Sequence, residues 1–289
     1  MPKKAGKPKN PLKIPTLILL TGRLLQLISP KMAMRFAARI FTTPFKYKIP
    51  RRELEMDQKS RQIKTHINAI NKDVVVYFYG DSERKILLVH GWSGRGTQLF
   101  KFAEALLEQG FSTVSFDAPA HGKSSGKTTV MPEFVATILQ LSKEYGPFEG
   151  AIGHSLGGMA LLNAAKRGYK TNAIVTIGSG NIIQDVIDEF TDKMKLDRKI
   201  GSLMSVEFEK MAGETMHSYS SYIAAREIDF PVLVIHDKND HEVPVESAKQ
   251  IVPNLKHGEL MLTTGLGHRK ILGHHEVIEK SITFLKNNI

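Results

Sequence analysis

The spacing of apolar residues along this 289-residue chain changes character near residue 60. Before that point it is helical. Thr16 to Ile28 is an apolar run of helix length, and Ser29-Pro30 sets an N-cap residue before a proline at the first helical position. A second helix is predicted from Pro30 to about Phe41, with Lys31, Arg35 and Arg39 on one face and Met32, Phe36 and Ile40 on the other. Thr42-Thr43-Pro44 ends it. From residue 62 the pattern turns to short apolar runs. Lys64 to Ile70 and Val74 to Tyr79 read as a hairpin around Asn71-Lys72-Asp73. Ile86 to Val89, Thr113 to Phe116, Gly150 to Ile152, Ile174 to Ile177, Val232 to Ile235 and Leu260 to Thr263 read as short buried strands. Helical stretches separate most of them: Thr97 to Glu108, Pro132 to Lys143, Leu156 to Lys166, Val245 to Ile251 and His274 to Leu285.

Strands alternating with helices predict an α/β fold with a mostly parallel, doubly wound sheet, whose ligand site gathers at the carboxyl ends of the strands. Residues 181 to 228 break the alternation with helical sequence rich in Asp, Glu, Met and Lys, and are expected to form a small helical cap. The chain therefore divides into an N-terminal arm over residues 1–60, with a charged leader over the first ten, and an α/β domain over residues 61–289.

Composition is that of a globular protein, 42% hydrophobic and 24% charged. The absence of cysteine excludes disulfides, thiolate zinc sites and a thiol nucleophile. The net charge of +11 suggests nucleic acid until its distribution is examined. Residues 1–52 hold thirteen Lys and Arg and no acid, which leaves 27 basic against 29 acidic residues for the rest. The body is nearly neutral, so no nucleic-acid groove is expected. Arg23 interrupts the apolar run from Ile14 to Ile28, which is shorter than the roughly 20 residues of a membrane span, and no small-x-small cleavage site follows. A cytoplasmic protein is expected. Its basic amphipathic arm either lies on an anionic membrane surface, making the protein peripheral at the inner membrane, or packs on the body with its basic face in water.

The candidate chemistry centres on Gly153-His154-Ser155-Leu156-Gly157-Gly158, where an apolar strand stops and a helix begins. A sharp turn there lifts the serine hydroxyl above the sheet and tolerates no bulk at Gly153 or Gly157. His90-Gly91-Trp92 follows another strand, so the Trp92 N–H can join the Leu156 N–H in holding an oxyanion. Asp117-Ala118-Pro119-Ala120-His121-Gly122-Lys123-Ser124 reads as scaffolding whose side chains bond local backbone. In the loop after Val232 to Ile235, Asp237 and Asp240 compete as the acid that orients a histidine. Asp237 directly follows the strand and suits local bonding, whereas Asp240 lies further out. His268 in Gly265-Leu266-Gly267-His268 can reach over the serine as general base, with His274 and His275 as rivals at the start of the last helix. No His-Glu-x-x-His helix or cysteine pair supports a metal.

Ser155, Asp240 and His268 thus occur in the order Ser, Asp, His, each beyond a predicted strand. From about residue 62 to 289 the chain resembles the α/β-hydrolase family, which has that order, a Gly-x-Ser-x-Gly elbow and a His-Gly oxyanion loop. Asp117-x-Pro-x-His121-Gly122-x-Ser124 and Asp240-x-x-Val243-Pro244 also look like family positions, with Ala120 standing where many relatives have glycine. The resemblance implies an α/β-hydrolase fold and a serine esterase or lipase-like hydrolase that needs no cofactor. Its substrate would be a small acyl compound, an ester or thioester with an apolar acyl group. Ile182, Ile183, Leu203, Met204, Met211 and Met216 of the cap either line such a pocket or simply pack the cap. An aminopeptidase or acyltransferase on the same fold, and a membrane-associated interaction protein without turnover, are the competing readings. Relatives that cleave haloalkanes or epoxides carry aspartate where this chain has Ser155.

Overall fold

The computed structural model describes residues 14–289; the charged leader expected over residues 1–10 lies outside the described residues. Two helices, Thr16–Ile28 (α1) and Pro30–Phe41 (α2), precede a short helix, Leu54–Lys59 (α3). An eight-stranded sheet follows: Arg61–Ile67 (β1), Lys72–Tyr79 (β2), Lys85–Val89 (β3), Ser112–Asp117 (β4), Gly150–His154 (β5), Ala173–Ile177 (β6), Val232–Asp237 (β7) and Gly258–Thr263 (β8). Its order is β1-β2-β4-β3-β5-β6-β7-β8, with β1 and β2 antiparallel to their neighbours and every pair from β4 onward parallel. The connecting helices are Phe100–Glu108 (α4), Met131–Tyr145 (α5), Leu156–Lys166 (α6), Ile183–Lys193 (α7), Arg198–Ala212 (α8), Ser221–Ala225 (α9), Glu246–Ile251 (α10), Gly267–Lys270 (α11) and His275–Asn288 (α12).

Strands β4 to β7 are buried at every position because both faces of the sheet are covered. In β3, Leu87 and Val89 point to a core shared with α5, α6 and the cap, while Ile86 and Leu88 point to the core under α4 and α12. Only the flanking strands show exposed positions, as in β1 and β8.

Of the boundaries that differ from the sequence expectation, two have a clear local cause. The first strand ends at Ile67 rather than Ile70, because Asn68–Ile70 winds into a turn that Asn71 closes in the left-handed region at φ 50°. Ile70 was apolar for a different reason: it packs against the core from that turn. Helix α4 starts at Phe100 rather than Thr97, since the preceding residues are held by side chains. Gly96 N–H donates to Asp117 Oδ1 at 2.7 Å, and the Thr97 hydroxyl donates to Glu53 Oε2 at 2.9 Å.

The cap is α7 to α9, between β6 and β7. Met204 and Met216 are buried in the main core, Ile183 and Leu203 pack against it, and Met211 is 70% exposed. Met211 apart, these side chains pack the cap. The arm lies on it: α2 buries Ala33, Met34 and Ala37, and Phe41 stacks on Phe208 and meets Phe190 edge-on, with centroids 5.7 and 5.1 Å away. In α1, Gly22 is buried against Met194 and Leu196, and Gln26 Oε1 accepts from the Asp197 N–H at 2.9 Å. No helix among the described residues is long and apolar enough to cross a membrane.

Candidate active site

Ser155 sits between β5 and α6 with φ 53° and ψ −120°, a conformation that L-residues rarely adopt and that costs on the order of 1–3 kcal/mol. The turn is tight because the elements it joins nearly touch. A Cβ on Gly153 would fall 2.7 Å from the Gly157 carbonyl carbon, and one on Gly157 would fall 2.6 Å from the His90 carbonyl oxygen. The Ser155 N–H donates to Ile177 O at the end of β6 (2.9 Å), which fixes the turn against the neighbouring strand.

His268, on α11, is buried at the same end of the sheet. Its Nδ1 lies 2.7 Å from Asp240 Oδ2, and the other Asp240 oxygen accepts from the Glu242 and Val243 N–H groups at 2.8 and 2.9 Å. Burial opposes ionisation of Asp240. The hydrogen bond and charge of His268, with the two backbone donors, outweigh it and hold the carboxyl below its ordinary value. An ionised Asp240 accepts from Nδ1–H, so the proton resides on Nδ1 and Nε2 keeps its lone pair. Asp237 is used up locally, by Asn239 N–H, the Thr263 hydroxyl and Leu266 N–H. His275 pairs with Glu279 at the surface, and His274 caps α12.

His268 rests on the residues that flank the serine. His154 Nε2 is 3.0 Å from the His268 carbonyl oxygen, with the two rings 4.7 Å apart, and a Cβ on Gly178, just beyond Ile177, would approach His268 Nδ1 to 3.2 Å. No hydrogen bond joins Ser155 Oγ to His268 in this geometry; such contacts commonly tighten only when substrate binds.

The His90 loop is wired so that one donor stays free. Gly91, Ser93 and Gly94 N–H groups donate to Gln98 Oε1, His121 Nε2 and Gly91 O at 2.9, 3.0 and 3.0 Å. Among the described residues, the Trp92 and Leu156 N–H groups have no acceptor. Gly91 has no room for a side chain, since a Cβ there would lie 3.0 Å from that of Ser155. The Asp117 loop is scaffolding: Asp117 accepts from Tyr77 Oη–H and from the Gly96 and Lys123 N–H groups, and the Ser124 hydroxyl donates to its carbonyl. Ala120 has φ 66°, in the region that favours glycine.

The alpha/beta hydrolase fold family matches residues 85–215, from β3 into the cap. The chain has the α/β-hydrolase fold, with its eight-stranded, mostly parallel sheet. No curated protein matches its sequence. An esterase from Pyrococcus furiosus superposes with TM-score 0.64 at 19% identity, over 86% of this chain and 97% of that one. A monoacylglycerol lipase from Paleococcus ferrophilus gives 0.58 at 22%, over 75% and 99%. A bacterial membrane phospholipase A gives 0.63 at 15%, over 94% and 96%. At these identities the likeness establishes the fold; chemistry has to come from the site.

Besides His268, this fold buries four imidazoles at its site: His236, which lies 3.6 Å from Asp240 and whose pKa burial lowers, and three more. Burial lowers His90 to about 4 and His121 to about 3, and holds His154 well below its ordinary value, with the charge of His268 adding to the effect. His90 Nε2 accepts from the Ala118 N–H at 3.0 Å and His121 Nε2 from Ser93, so protonating either ring would set donor against donor. Because the folded values are lowered, the unfolded chain takes up protons below about pH 6.5 that the folded one refuses, and stability falls with pH. Each ring contributes about 1.4 kcal/mol per pH unit, about 4 kcal/mol per unit for three. Against a stability of about 5–15 kcal/mol, the fold is expected to be lost between about pH 5 and 4. Thermal melts from pH 8 downward check this, and a Tm that stays flat to pH 5 would show that these rings are not held neutral.

Sequence reasoning passed over a second buried cluster, formed where the arm meets the His90 loop. Glu53 Oε2 accepts from Thr97 and, at 3.4 Å, from Arg95 Nη1, which also reaches the Lys48 carbonyl; all three side chains are buried. The Phe45 N–H donates to Ser93 Oγ at 3.0 Å and Lys46 Nζ to Ser124 O at 3.1 Å. One signal was available: Glu53 is the first acid after 52 residues without one.

Proposed function

We propose that this protein is a serine hydrolase that cleaves carboxylic esters or thioesters of apolar acyl groups. The observation that carries the reading is the buried Asp240–His268 pair, held by His154, the residue before the strained Ser155, and by Gly178 at the end of β6. Ser155 Oγ attacks the acyl carbonyl carbon as His268 Nε2 takes its proton, and Asp240 stabilises the imidazolium. The free Trp92 and Leu156 N–H groups, the latter at the N-terminus of α6, hold the tetrahedral oxyanion. Collapse expels the alcohol or thiol, which leaves with the proton from His268. Water activated by the same ring then releases the acid from Ser155.

Ester chemistry is favoured by the neighbours of like fold, which include an esterase, a monoacylglycerol lipase and a membrane phospholipase A. A series of p-nitrophenyl esters of increasing acyl length, run beside amino-terminal peptide amides, tests it. Ester turnover that rises with acyl length is expected, with little amide cleavage. Turnover of the amides alone would replace this reading with a peptidase, and labelling by a serine-directed fluorophosphonate without turnover of either would point to a transferase.

A further inference from the structure

Among the described residues, nothing covers the outward side of α1. Leu17, Leu20, Leu24, Leu27 and Ile28 fall at helical spacing within an arc of about 100° and are 58% to 84% exposed. The opposite side, around Gly22 and Leu25, packs on the cap. A continuous apolar stripe of this kind marks a contact surface.

We propose that this face docks the protein on an anionic lipid bilayer. The charge of the arm selects that occupant. Residues 1–52 carry thirteen Lys and Arg and no acid, and Arg23, Lys31, Arg35 and Arg39 are exposed on the two helices beside the stripe. A second copy of the chain would bring the same charges against themselves. An anionic headgroup layer complements them while its acyl boundary receives the leucines. Thirteen residues span about 20 Å, too short to cross a bilayer and suited to lying in its plane. Phe45 and Tyr47, 52% and 57% exposed on the segment after α2, add aromatic anchors of the interfacial type. The Phe45 N–H is bonded to Ser93, the residue after Trp92, so the docked surface is in direct contact with the loop of the free donor. Given the ester-hydrolase reading, the substrate is an acyl ester drawn from the lipid surface.

Point substitutions test this better than truncation, because removing α2 would uncover the core side chains it packs against. The full chain is sedimented with vesicles of phosphatidylglycerol and phosphatidylcholine in equal amounts, and with phosphatidylcholine alone. Binding to the anionic vesicles only, weakened by salt, is expected. Leu17→Glu/Leu24→Glu/Leu27→Glu should weaken it at least about tenfold, since each places an acid in the acyl boundary, while Tm and hydrolysis of a short soluble ester stay as in the wild type. Arg23→Gln/Lys31→Gln/Arg35→Gln should weaken it and flatten the salt dependence. Equal binding by the leucine variant, or no binding by the wild type, overturns the proposal. A wild-type dimer that the leucine variant splits, without vesicle binding, also overturns it and assigns the face to self-association. Vesicle binding by a protein that hydrolyses no ester would leave docking standing and remove only the hydrolase reading.

Discussion

Ser155→Ala is expected to reduce turnover of a soluble ester by about 10⁴-fold or more and to abolish fluorophosphonate labelling. The fold should not notice the change. Ser155 Oγ makes no hydrogen bond to another protein group, and alanine keeps the Cβ, so stability should stay within about 0.5 kcal/mol of the wild type. Residual rate should remain above that in water, because the Trp92 and Leu156 donors still meet the oxyanion. Ser155→Gly separates the strain from the chemistry. At φ 53° and ψ −120° glycine escapes a penalty of order 1–3 kcal/mol and loses about 0.5–1 kcal/mol to unfolded-chain entropy, so an inactive but more stable protein is expected. Melting curves for the two variants check the pair. Undiminished labelling of Ser155→Ala would transfer the nucleophile to another residue.

Asp240→Asn should lower kcat by about 10⁴-fold with little change in KM. The amide can still sit opposite His268, but its NH₂ can face Nδ1 and favour the tautomer with the proton on Nε2, where a base needs a lone pair. Asp237→Asn is the contrasting change. Asp237 binds three donors in the β7 and β8 loops and does not touch His268, so its loss should cost about 1–3 kcal/mol of stability and leave kcat nearly intact. If Asp237→Asn proved to be the variant that lost turnover, the acid would have been misassigned between two carboxylates three residues apart.

The parts of the fold legible in the sequence are those that local pattern governs. The boundaries Thr16–Ile28 and Pro30–Phe41 match the helices residue for residue, because Ser29-Pro30 and Thr42-Thr43-Pro44 punctuate them chemically. The buried strands were visible as short, mainly apolar and β-branched runs, since a parallel sheet covered on both faces favours such residues in β6 and β7. Long-range contacts were not legible. Thr97 looked helical until its hydroxyl was found bonded to Glu53, 44 residues earlier in the chain. Asp237 and Asp240 could be ranked only by loop position, whereas their partners, Thr263 and His268, lie at the end of the next strand and beyond it. His154 was noticed as part of a motif, but its hold on the His268 carbonyl spans 114 residues and has no signature in spacing.

The bonds from Phe45, Lys48 and Glu53 to Ser93, Arg95 and Thr97 bear on how such a protein can be divided or recombined. The repeating α/β pattern invites a cut just before β1. That cut would strand the Arg95 guanidinium in a dry setting and loosen the stretch on which Trp92 rides. The smallest unit that inherits a working site is therefore the sheet together with the strap that follows α2, and a transplant of the body alone would carry over the serine, acid and histidine while leaving behind what holds the Trp92 donor still.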